Sequence, residues 1–218
     1  MSSDCRLLGI LNKLTKRLDN LVSDSLIQEL SDVDIRNLLR TLKLADLFVG
    51  PIWTEVQLAG KVERLLKVAL SRGYDMRGAG RGSKAEGRFY RCIASLLRSH
   101  HLDDQYEVSC NEYLDYCFEA DIVIRTVAGK SEPDLVCNIE IDGPSHLQPT
   151  TKRLCALRDA YLKKSCGVQI ARIPLVERVG VGVESRGNSD GEIEAMARRA
   201  LVELNILPSL DGERKGDK

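Results

Sequence analysis

The sequence predicts an α/β sandwich with a mixed sheet, preceded by a helical segment. Three observations predict it. Apolar residues recur at helical spacing through residues 1–72; a stretch rich in glycine and arginine, GYDMRGAGRG at 73–82, then interrupts the pattern. Beyond it, segments with period-2 alternation fall in the order helix, three strands, helix, strand. Hydrophobic residues make up 43% of the 218, too many for a disordered chain, and aromatics only 5%, so Leu, Ile, Val and Ala must fill the core.

In chain order, Leu7, Leu11, Leu14, Leu18 and Leu21 form one apolar stripe, read as an ordinary first helix rather than a targeting segment because Asp4 and Asp19 interrupt it. A second helix follows Ser31, whose spacing to Asp34 resembles a capping box; Ile35, Leu38, Leu39 and Leu42 are its buried face. Gly50-Pro51 opens a third, with Leu58, Val62, Leu65, Leu66 and Ala69 as its stripe. Residues 73–82 are read as a linker. Ser83 to Ser99 is a helix facing inward with Phe89, Ile93, Leu96 and Leu97. Gln105 to Cys110 is a strand, Asn111 to Asp115 a turn, and Tyr116 to Val127 a second strand. After a turn at 129–133, Leu135 to Asp142 is a third strand: Leu135, Cys137, Ile139 and Ile141 face one way, Val136, Asn138, Glu140 and Asp142 the other. Thr150 to Ser165 is a helix with Leu154, Leu157 and Tyr161 on one face, and Val168 to Ile173 a fourth strand. A loop at 180–191, a helix from Glu192 to Leu204 and a polar tail complete residues 177–218.

The charge total, 32 Lys+Arg against 32 Asp+Glu, gives no global attraction to nucleic acid or membrane, and no apolar run approaches the ~20 residues of a membrane span. Seven cysteines, without CxxC or zinc-type Cys–His spacing, fit free thiols in a reducing compartment. Asp121 and Glu140 lie on the middle strands, Asp142 shares the face of Glu140, and Glu86 on the preceding helix could add a fourth carboxylate. Converging carboxylates repel unless a cation is near, so Asp121 and Glu140 are candidate Mg²⁺ ligands of a phosphodiester-cleaving site; a satisfied polar pocket accounts for the same spacing. The sharpest local signal is IEIDGPSH at 139–146, a strand running into a Gly-Pro turn that presents Ser145 and His146 to a phosphate or base. A turn role for His146 at the start of the next helix is the plainer alternative. The three histidines and the serines show no nucleophile–base–acid triad.

The stretch from 118 to 174, FEADIVI…CNIEIDGPSHLQ…TKRLCALRDAYLKKSCGVQIARIP, resembles the RAP domain. This is an RNA-binding domain abundant in apicomplexans, also found at the C-terminus of mitochondrial FAST-kinase-domain proteins and in some plastid factors. The resemblance covers about a quarter of the chain. It implies a domain over 83–176 of the PD-(D/E)xK, restriction-endonuclease-like superfamily, with an α-β-β-β-α-β core; such domains commonly follow helical repeats, which suits residues 1–72. Carried over by position, Asp121 matches the metal-binding Asp, Glu140 the second acid and Glu86 the optional upstream Glu. Asp142 departs from the pattern, standing where many members carry the catalytic Lys; an acid there cannot stabilise developing negative charge. Lys152 or Arg158 on the next helix would have to substitute.

Local charge qualifies the zero total. Residues 103–142 hold eleven acids against two bases, whereas 149–172 hold six bases, Lys152, Arg153, Arg158, Lys163, Lys164 and Arg172, against Asp159 alone. With Ser145 and His146, these six are the expected nucleic-acid contacts. The resulting expectation is an organellar RNA-binding protein without strong catalysis, since Asp142 stands where the usual Lys would be. It would act in a mitochondrion on rRNA or transcripts, with protein partners in a ribosome or RNA-processing assembly. RNA binding would need no cofactor. The rival is a Mg²⁺-dependent nuclease acting through Asp121 and Glu140.

Overall fold

A computed structural model of the chain describes residues 29–49, 58–71, 82–127, 136–143, 146, 148–175 and 189–209. The Leu7–Leu21 stripe, the helix start at Pro51, the stretch 73–81, the turn at 129–133, Ser145 and the polar tail lie outside the described residues. The chain divides into two units, Met1–Met76 and Arg77–Lys218.

In the first unit, α1 spans Asp32–Val49 and α2 spans Leu58–Ser71. The Ser31/Asp34 pair caps α1 as the spacing predicts: the Asp34 N–H donates to Ser31 Oγ at 3.2 Å, and the Ser31 N–H donates to Asp34 Oδ2 at 3.3 Å. Ile35, Leu39 and Leu42 on α1 and Leu65 on α2 are buried, and the two helices pack together.

The second unit is a mixed α/β structure. Helix α3, Lys84–Ser99, precedes strands β1, Tyr106–Leu114, β2, Phe118–Thr126, and β3, Val136–Asp142; helix α4, Pro149–Cys166, then leads to strand β4, Gln169–Pro174, and helix α5, Asp190–Glu203, follows. The four strands lie in sequence order; β1–β2 and β2–β3 are antiparallel and β3–β4 is parallel. A parallel neighbour requires a crossover, and α4 supplies it. Ile122 and Ile124 of β2, Cys137, Ile139 and Ile141 of β3, and Ala171 and Ile173 of β4 share one core with Phe89, Ile93, Leu96 and Leu97 of α3 and Ile193, Ala197, Ala200 and Leu201 of α5. The last helix is therefore part of this core. Helix α4 approaches the opposite face, where Arg158 reaches Glu140 and Asp159 reaches Arg172.

One turn differs from expectation. Asn111 does not begin it: β1 continues through Asn111 to Leu114, and Asn111 takes a left-handed φ of 53° within the strand, which a short amide side chain tolerates. The reversal comes at Asp115 and Tyr116, both at positive φ, with the Cys117 N–H donating to the Leu114 carbonyl at 3.2 Å. Helix α3 is fixed at its start by a capping box: the Glu86 N–H donates to Ser83 Oγ at 3.1 Å, and the Ser83 N–H donates to Glu86 Oε2 at 2.9 Å. Ser83→Ala should lower the stability of the second unit by about 1 kcal/mol, read as a lower urea midpoint at unchanged slope. An unmoved midpoint would show that the cap contributes nothing measurable.

Candidate functional site

The pairing of β2 with β3 runs from Arg125↔Val136 to Ile122↔Ile139 and stops there, although both strands continue. Asp121 is the next residue. Its Oδ2 accepts the Ile141 N–H at 2.7 Å, so a side chain takes up a donor of β3 beyond the end of the ladder. Glu140, the residue before Ile141, is 2% exposed. Its Oε1 accepts from Asn138 Nδ2 at 2.6 Å, and its Oε2 lies 2.6 Å from Arg158 Nη2. Burial, the Glu140 carboxylate and a smaller push from Glu86 raise Asp121 from its ordinary 3.8 to about 7, although the Ile141 N–H and Arg158 act the other way.

Two arginines organise the rest. Arg158 also donates to the Glu119 carbonyl at 3.3 Å and contacts Asp159 Oδ1 at 3.2 Å, linking α4 to β2 and β3. Arg172 on β4 donates to Asp159 Oδ2 through Nε at 2.9 Å and Nη2 at 2.7 Å, and to Asp142 Oδ1 through Nη1. Asp142 Oδ1 lies 3.0 Å from His146 Nδ1, which is 3.6 Å from Cys155 Sγ. The run Glu140–Arg158–Asp159–Arg172–Asp142–His146 is thus one charged network across the α4 face of the sheet. His146 sits in the turn, its N–H donating to the Gly143 carbonyl at 3.0 Å; the residue at the cap position of α4 is Gln148.

The candidate residues therefore separate into three groups. Asp121, Glu140 and Arg158 converge, with Glu86 near enough to act on Asp121 electrostatically. Asp142, His146 and Arg172 join them through Asp159. Lys152, Arg153, Lys163 and Lys164 are exposed on α4, and none forms an ion pair among the described residues. They share one side of the helix. An 11-residue separation is just over three whole turns, so Lys163 lies below Lys152 and Lys164 below Arg153, about 16 Å along the axis. Ser145 lies outside the described residues.

Three participants were not singled out from the sequence. In sequence Asp159 is a lone acid in a basic block, yet it pairs with both arginines. Asn138, fully buried, binds Glu140 while its own Oδ1 has no hydrogen-bond partner among the described residues; its position two residues before Glu140, on the same strand face, was the available signal. Asn111 is the third. A Cβ on Gly82 would stand 2.1 Å from Asn111 Nδ2 and 2.7 Å from Glu86 Oε2, so all three crowd together at the start of α3. Only the fold brings them there.

A divalent cation at Asp121 and Glu140 would need both carboxylates free and ionised. They do not fit it as they stand: Glu140 is engaged by Arg158 and Asn138, and Asp121 accepts a backbone N–H, so a cation would have to displace the Arg158 guanidinium. Among the described residues, no group of three or more His, Cys, Asp or Glu side chains has an arrangement able to hold a metal ion. Nor is any described helix long and apolar enough to cross a membrane. A groove of about 600 Å³ lies between α3 and α5, lined by residues that include Arg88, Arg91, Cys92 and Glu194, and none of the described candidate residues borders it.

Comparison with protein-family models, with curated proteins and with solved structures finds no match to this chain.

Proposed function

We propose that the chain is an RNA-binding protein that docks the phosphate backbone on the exposed side of α4, and that the carboxylates on the sheet are structural. One observation carries the proposal: α4 sorts its charges. Arg158 and Asp159 turn inward to the network, while Lys152, Arg153, Lys163 and Lys164 stay exposed. An outward surface with four cations and no acid suits a polyanion. RNA, rather than another polyanion, comes from the resemblance of 118–174 to the RAP domain. The order α3-β1-β2-β3-α4-β4, with one parallel pair, is compatible with the endonuclease-like core which that resemblance implies. From the same source come a mitochondrial setting, rRNA or transcripts as targets, and protein partners in a ribonucleoprotein assembly. The nuclease reading is weaker, because Arg158 already neutralises the carboxylate that a metal would need.

The test is RNA affinity at several salt concentrations for wild type and for the combined reversal of Lys152, Arg153, Lys163 and Lys164 to Glu. Four lost phosphate contacts should weaken binding at low salt by about a hundredfold or more and remove most of the salt dependence. The fold should survive, since all four side chains are exposed. An unchanged affinity would overturn the proposal.

A further inference from the structure

We infer that α4 engages helical, double-stranded RNA in preference to single strands; this rests on the RNA-binding reading above and specifies its substrate. Single-stranded RNA is ordinarily gripped by aromatic side chains on which unstacked bases lie. The second unit offers no such platform. Its seven aromatic residues, Phe89, Tyr90, Tyr106, Tyr113, Tyr116, Phe118 and Tyr161, are all buried or half-buried. Tyr90 and Tyr106 pack against the core. The one aromatic of α4, Tyr161, is buried, packs at a tilt against Phe118 with ring centroids 5.1 Å apart, and donates its hydroxyl to Asp115 at 2.8 Å.

What α4 presents instead is two cation pairs on a rigid rod. Lys152 with Arg153, and Lys163 with Lys164, stand about 16 Å apart along one side. Between them on that side are Ala156 and Ala160, both exposed and too short to hold a nucleic acid away from the helix. Two cationic ends flanking a small, neutral middle match two phosphate rows with a groove between them. A duplex keeps its rows at fixed separation, so both pairs can be engaged without ordering the ligand; a flexible single strand must be ordered to do the same, at an entropic cost. Cations spaced to meet two phosphate rows, with only alanines between them, suit recognition of shape and backbone, as for proteins that track A-form helices.

The experiment titrates the full chain against a 20-base-pair RNA duplex and against one of its strands, chosen to be unstructured, at low and moderate salt. The duplex should bind at least about tenfold tighter. Its affinity should fall with salt more steeply than that of the Lys163→Gln/Lys164→Gln variant, the slopes differing by about two contacts' worth. Equal or tighter binding of the single strand would overturn the inference and leave the RNA-binding reading standing. Failure of both RNAs to bind at low salt would overturn both.

Discussion

Arg158→Met should destabilise the second unit by about 3–5 kcal/mol, the range expected when one partner of a buried ion pair is removed. Glu140 is the reason. It is 2% exposed, and its Oε2 faces the Arg158 guanidinium at 2.6 Å, so the variant would leave a carboxylate buried beside Asp121 with only Asn138 donating to it. The same change cuts the link from α4 to the Glu119 carbonyl. The double variant Arg158→Met/Glu140→Leu should recover much of the loss, because it removes the stranded charge along with its partner. Hydrogen exchange of the β2 and β3 amides reads the second unit separately from the first. A double variant no better than Arg158→Met would show that Arg158 acts through packing and not through Glu140.

Arg158 also marks where sequence reading reached its limit. The strand periods were legible: in β3 the alternation puts Cys137, Ile139 and Ile141 in the core, and the helix–strand order yields the mixed α/β sheet. The orientation of α4 was not. Leu154, Leu157 and Tyr161 form its most regular apolar line, yet Leu154 is 57% exposed, and the buried side chains are Tyr161 and Leu162. The helix is turned toward Arg158, by roughly 60° if counted at 100° per residue. A helix with so few apolar residues is oriented by what lies opposite, and opposite are Glu140 on β3 and Arg172 on β4. Nothing local announces a long-range pairing of that kind. Asn111 makes the same point: a polar residue after a strand reads as a turn, and only the continuation of the β1–β2 register to Leu114↔Phe118 keeps it in the sheet. The consequence reaches function, for six bases that look equivalent in sequence divide into two that hold the fold together and four that remain exposed.

Asp121→Asn should make the protein more stable above neutral pH and change little below pH 4. In the folded state Asp121 titrates at about 7 instead of 3.8, pushed up by burial and by Glu140. Between those values the native state holds a proton that the unfolded chain has released, so stability falls as pH rises. The stabilisation is complete below about 3.8, is lost progressively through the window, and is gone above about 7. Three pH units correspond to a few kcal/mol. Asparagine keeps an oxygen for the Ile141 N–H and never ionises, so the stability difference between variant and wild type should grow across this window and then level off. Urea midpoints at several pH values test it; a difference that stays constant from pH 4 to pH 8 would mean that Asp121 is not held protonated. The same variant also separates the two readings of the site. A metal-dependent nuclease needs the ionised carboxylate and would lose cleavage in Asp121→Asn, whereas RNA binding on the outer side of α4 should be untouched.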